Sequence, residues 1–176
     1  MDCVLVRHGI AIEPEEWEGS EENRPLTEKG KKRVRQAAAG LTSMNLVPTH
    51  LLSSPFLRAK DTARLLRSVL CPALKVETYD ELAVGSTAEQ IVALLRSLPL
   101  NSVVICVGHE PLLGEVAGIL LCGKPISGFP MKKVGAALIH LSGMVKPGQG
   151  LLRWWLLPAQ LRALGKEGKD VGETEE

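Results

Sequence analysis

The stretch Val4-Leu5-Val6-Arg7-His8-Gly9 runs apolar and then ends abruptly in a cation, an imidazole and a glycine. Such a run reads as a buried strand that delivers polar side chains to its C-terminal end, with the glycine letting the backbone turn tightly. In open α/β sheets that edge is where ligands bind. Arg7 offers a planar fork of donors suited to phosphate, and His8 is the side chain whose proton changes hands near neutral pH. A second segment ends in the same way. Ser102 to Val107 is apolar on both faces, as in the middle of a parallel sheet, and it closes on Gly108-His109.

Around these two strands the pattern alternates. The first strand, residues 2–6, is followed by a long loop from Ile10 to Leu26, acidic at Glu13, Glu15, Glu16, Glu18, Glu21 and Glu22. Loops of this length are functional or disordered more often than not. Thr27 reads as the N-cap of an amphipathic helix over 28–43, with Val34, Ala37, Ala38 and Leu41 inward and a basic, solvated face at Lys29, Lys31, Lys32, Arg33 and Arg35. His50 to Ser53 reads as a short strand. Ser54 and Pro55 then read as N-cap and first position of a helix striped by Ala59, Ala63, Leu66 and Leu70.

Leu74 to Thr78 is a third strand, and Ser86-x-x-Glu89 reads as a capping box before Ile91, Leu94, Leu95 and Leu98. Pro111 opens a helix with Leu113, Val116, Ala117, Leu120 and Leu121 inward. Ala136 to Leu141 and Leu151 to Leu157 form an expected antiparallel hairpin, with Trp154 and Trp155 on opposite faces. The expected architecture is a three-layer α/β fold, a mostly parallel central sheet flanked by helices with right-handed crossovers. One domain is expected over 1–164, followed by a disordered tail over 165–176 rich in Gly, Lys and Glu.

The bulk numbers narrow the function classes. A chain of 176 residues can bury a real core, and with aromatics at 3% that core must be aliphatic. The net charge of +1 gives no general reason to bind nucleic acid or membrane, so any cationic site must be local. No uninterrupted apolar run approaches the roughly 18–20 residues that a membrane span needs. The cysteines at 3, 71, 106 and 122 show no CxxC pairing, and Cys3 and Cys106 fall in expected buried strands. With no signal peptide evident, a reduced, cytoplasmic compartment is the expectation.

If both His-terminated strands lie mid-sheet, His8 and His109 meet at one crevice. The strand ending at Ser53-Ser54 adds the first turn of a helix, with Arg58 on it and free N–H groups that favour an anion. Arg24 offers a further cation. Such a pocket suits a phosphoryl dianion, which takes charge-assisted bonds from arginine while a neutral histidine attacks phosphorus. A backbone carbonyl is expected to hold that histidine's other nitrogen. His50 and His140 lie in strands and read as structural. A zinc site fails on spacing, since Leu113 stands where H-E-x-x-H needs its second histidine, so no metal and no cofactor are expected.

Arg7-His8-Gly9, Arg24-Pro25-Leu26-Thr27-x-x-Gly30, Ser53-Ser54-Pro55-Phe56-Leu57-Arg58-Ala59-x-Asp61-Thr62 and Gly108-His109, in this order, resemble the histidine phosphatase superfamily with its phosphoglycerate-mutase-like fold. The compact length and the two longer motifs resemble its SixA-type phosphohistidine phosphatase branch. The resemblance implies that His8 is the nucleophile and that Arg7, Arg58 and His109 bind the phosphoryl group and stabilise its transition state. It implies a further phosphate contact at Arg24 and a leaving-group acid at Glu81. Ser54, as a capping residue, could also touch a phosphoryl oxygen.

Only a few residues separate Glu81 from the next helix, where relatives acting on small molecules carry a longer insertion. That speaks for an open pocket within reach of a protein surface. The leading expectation is a metal-independent phosphatase acting through phosphohistidine on a phosphohistidine-bearing protein. The alternatives are a general small-molecule phosphomonoesterase, or a phospho-ligand-binding module without turnover. The acidic loop is expected to disfavour highly anionic small substrates at the entrance.

Overall fold

Six segments form strands: β1 (Asp2–Arg7), β2 (His50–Ser53), β3 (Val76–Thr78), β4 (Val103–Gly108), β5 (Ala136–Leu141) and β6 (Gly150–Leu156), with β1 and β4 the apolar, β-branched ones. Amphipathic segments form α1 (Glu28–Ser43), α2 (Leu57–Leu70), α3 (Ala88–Arg96), α4 (Leu112–Cys122) and α5 (Pro158–Asp170). These elements come from a computed structural model that describes residues 1–170, with side chains described to 166. The sheet order is β3-β2-β4-β1-β5-β6. The first four of these strands are parallel, while β5 and β6 run antiparallel as the expected hairpin.

Strand alternation divides the core in two. Cys3 and Leu5 of β1, with Val104 and Cys106 of β4, face α3 and α4. Val4, Val6, Ile105 and Val107 face α1, α2 and α5. Helices on both faces leave β1 and β4 fully covered, which is why they read as continuous apolar runs. The tryptophans alternate as well: Trp155 packs on the first cluster and Trp154 on the second.

Several local details differ from the sequence reading. The capping box belongs to Thr87 and Gln90, one residue beyond Ser86 and Glu89. Helix α2 starts at Leu57 with Phe56 in the cap position, so Ser54 is not its N-cap. Ser54 still accepts the Phe56 amide at 3.2 Å, which fixes the turn before the helix instead. Residues 165–170 continue α5 rather than opening a tail, because Gly165 packs its backbone against Gln36 and Gly40 of α1. The rest of the expected tail, 171–176, lies outside the described residues.

Candidate active site

Register does most of the assembly. In the parallel β1–β4 pair, Val6 lies opposite Val107 and Arg7 opposite Gly108. The ladder carries one step further, with the His8 amide donating to the Gly108 carbonyl at 3.0 Å. His8 and His109 therefore leave adjacent strands at the same level. Their rings lie 5.0 Å apart, centroid to centroid, tilted by 54°. On the other side of β4, the Ser54 amide donates to the Val107 carbonyl at 2.9 Å, so Ser54 arrives at the same edge.

The two imidazoles are held differently. His8 Nδ1 lies 2.7 Å from the Gly9 carbonyl oxygen, a bond that puts the proton on Nδ1 and leaves the Nε2 lone pair free. This is the carbonyl that the sequence reading required. His109 Nε2 lies 2.8 Å from Ser54 Oγ, and its Nδ1 lies 3.4 Å from Arg58 Nη2. Nδ1 facing a guanidinium is an acceptor, so Nε2 is the donor to Ser54. Burial first, then the charge of His109, pushes His8 down to about 3. Burial and then the guanidinium of Arg58 push His109 down to about 3 as well. Both rings are neutral at pH 7, the form a nucleophilic imidazole needs.

The arginines frame the rings. Arg58, in the first turn of α2, is only 3% exposed. Its carbonyl accepts from Thr62 Oγ1 at 2.7 Å, and Thr62 Oγ1 accepts from the Gly9 amide at 2.9 Å. One hydroxyl thus ties the arginine's turn to the residue that orients His8. Arg7 donates through Nη1 to the Met131 carbonyl at 2.8 Å. Burial lowers both arginines below the ordinary guanidinium value, and both stay charged. Arg7 Nε and Arg58 Nε are buried with no hydrogen-bond partner among the described residues.

Gly9 is needed for room rather than for an unusual backbone angle. A Cβ there would meet Val34 Cγ2 at 2.9 Å. Gly30 has the same function more severely: a Cβ would lie 2.1 Å from the Ile10 carbonyl oxygen, at the root of the acidic loop.

Two expected site residues have no described contact with the imidazoles. Arg24 is buried beside the site, but all three of its guanidinium nitrogens are engaged, Nε and Nη2 by Glu21 at 2.7 and 2.6 Å and Nη1 by the Ile12 carbonyl. Glu81 sits on the 3-10 turn Asp80–Leu82 and lines a hollow with Gln90, Ala93 and Leu94 of α3 and Ser97 just beyond it. No described contact links it to the histidines. The turn buries Leu82 completely. His140 pairs with Asp2 at 2.7 Å and His50 with Thr49 at 2.9 Å, in line with structural roles.

Two residues, Phe56 and Glu110, were given no role by sequence reasoning, and a third, Glu21, entered it only as one glutamate of the acidic loop. Phe56 sets its ring edge against His109, centroids 5.2 Å apart, with the Arg58 guanidinium 4.9 Å from its own centroid. Glu110 takes the Met131 amide at 3.2 Å and so holds the residue whose carbonyl holds Arg7. Glu21 reaches Arg58 Nη1 at 3.1 Å. Glu110 carried a local signal, its place directly after His109, and Glu21 carried one in its place within the acidic loop. No group of three or more residues of the His, Cys, Asp and Glu types that could hold a metal ion occurs among the described residues. None of their helices is long and apolar enough to cross a membrane.

A parallel-sheet edge that gathers two neutral imidazoles and two buried guanidinium groups is built for phosphoryl chemistry, and the sequence model of the histidine phosphatase superfamily (branch 1) matches residues 3–127. The chain belongs to that superfamily, whose phosphatases are hydrolases. Within it the likeness runs to the SixA type. The chain is 27% identical over 164 residues to phosphohistidine phosphatase SixA of Escherichia coli K12, covering 92% of this chain and 97% of the relative.

It is also similar to the solved structure of the protein histidine phosphatase SixA complexed with tungstate. That likeness has a TM-score of 0.79 at 27% identity over 92% of this chain and 99% of the other. An uncharacterized protein of Picosynechococcus sp. is 32% identical over 138 residues, 77% of this chain and 82% of that one.

Proposed function

We propose that the chain is a metal-independent phosphatase that works through a phosphohistidine on His8 and acts on a phosphohistidine-bearing protein. The observation that carries this reading is the His8 tautomer, with Nδ1 bonded to the Gly9 carbonyl and Nε2 free beside His109. In the first step Nε2 attacks phosphorus, the bond to the leaving group breaks, and the phosphoryl group passes to His8. In the second, water attacks phosphorus, the P–N bond breaks, and inorganic phosphate leaves with His8 neutral again.

Arg7 and Arg58 hold the equatorial oxygens, and the two unpartnered Nε–H groups are donors such an anion would satisfy; His109 joins them when its Nε2–H turns from Ser54 to a phosphoryl oxygen. Ser54 acts on the oxygens through His109, which it orients. Arg24 serves the site by holding Glu21 rather than by touching phosphate.

Two observations favour a phosphoramidate over an alkyl phosphate. The SixA relative is named for phosphohistidine. The expected acid, Glu81, faces α3. A phosphorylated imidazole whose other nitrogen carries a proton leaves as neutral imidazole, so an enzyme acid matters little. The test is incubation with a labelled phosphohistidine domain, followed by quenching in alkali, where phosphohistidine survives. The expected result is label on this chain that vanishes in His8→Ala, with turnover on that domain far above turnover on sugar phosphates. Turnover without label on His8 refutes the mechanism, and faster sugar-phosphate hydrolysis refutes the substrate.

A further inference from the structure

An acidic residue beside an anion site calls for a reason. Glu21 lies in a loop fastened at its roots by the Ala11–Leu26 bridge and by the Thr27 amide on the Ile10 carbonyl at 2.9 Å. Its Oε1 is 2.6 Å from Arg24 Nη2 and 3.1 Å from Arg58 Nη1, and its Oε2 is 2.7 Å from Arg24 Nε. Its backbone carbonyl also accepts from Arg58 Nη1, at 2.9 Å. The carboxylate is therefore fixed, not free to swing away. Its side chain is 52% exposed while those of Arg24 and Arg58 are almost covered, so it stands at the rim with the guanidinium groups beneath. Its charge reaches His109, where it opposes the lowering by the arginines.

We infer that Glu21 is a specificity-determining residue: it favours phosphorylated groups that carry a positive charge next to the phosphoryl and rejects those that carry a second anion. A phosphoryl group seated on Arg7, Arg58 and the imidazoles turns the rest of the substrate outward, past this carboxylate. Glu22, which lines the adjoining hollow with Phe56, adds charge of the same sign. Among the described residues the other glutamates of the loop make no ion pair with Arg58; Glu13 pairs with Lys133, at 3.9 Å, and acts on Arg24 by its charge alone. This inference rests on the anion-site reading of His8, Arg58 and His109, and not on turnover or on a phosphohistidine substrate.

The experiment measures binding of two non-hydrolysable probes to the whole chain, 2-aminoethylphosphonate and 3-phosphonopropionate, which differ in an ammonium against a carboxylate. The native chain is expected to bind the ammonium probe about tenfold more tightly at low salt. Glu21→Gln is expected to bring that ratio to within about twofold, while Glu21→Asp and Glu16→Gln keep most of it. An unchanged ratio in Glu21→Gln, an equal loss in Glu16→Gln, or no preference in the native chain overturns the inference. Failure of the His8 labelling experiment would leave this ratio untouched, so the two readings fail separately.

Discussion

Acidification from pH 7 to pH 5 should destabilise this protein through two imidazoles. His8 and His109 are each held at about 3 in the folded chain, against 6.5 for an ordinary histidine. Between those values the unfolded chain binds protons that the folded chain refuses. Stability therefore falls as pH drops below about 6.5, keeps falling toward 3, and is unaffected by these groups above 6.5. At about 1.4 kcal/mol per pH unit, the interval from 6.5 to 5 costs about 2 kcal/mol per ring, or about 4 kcal/mol for the pair.

That sum is an upper bound, because part of the lowering of His8 is the charge of His109 itself. Glu21, held below the usual carboxylate range chiefly by its bond to Arg24, loses its contribution only as pH falls through that lower value, outside the window. Urea unfolding at pH 5, 6 and 7 checks the figure. The native chain is expected to lose about 2–4 kcal/mol across the window and the His8→Asn, His109→Asn double variant less than about 1 kcal/mol. Parallel pH slopes for the two proteins would refute the burial argument.

Thr62→Val leaves the buried Gly9 amide without its acceptor and should cost about 1–3 kcal/mol in urea unfolding, with a fall in kcat as the Gly9 carbonyl loses its hold on His8. A silent Thr62→Val would show that the hydroxyl does not tie the two segments together. Glu81→Gln should leave kcat/KM within about twofold on both an alkyl phosphate and a phosphohistidine, since the side chain lies against α3. A loss confined to the alkyl phosphate would bring Glu81 back as the leaving-group acid.

The local sequence specified much of this protein. Apolar runs such as Val4–Val6 and Val103–Val107 can be little other than buried strands, and each carries its histidine at a fixed offset from its last apolar residue. The 3.6-residue stripes of α1 and α2 are equally local, as is the Thr27 cap, whose Oγ1 accepts the Gly30 amide at 2.9 Å. Those patterns were enough to bring His8, His109, Arg7 and Arg58 to one sheet edge on paper.

What tertiary structure alone decided was orientation. Leu82 is buried in a three-residue turn, and Glu81 of that turn lines a hollow beside α3. Arg24 and Glu21 lie three residues apart, a spacing common in exposed pairs, and only the packing of the loop over α2 brought their carboxylate to Arg58. The physical reason is one of range. Strand and helix periods are set by neighbours in the chain, whereas the direction of a loop side chain is set by whatever distant surface competes for it.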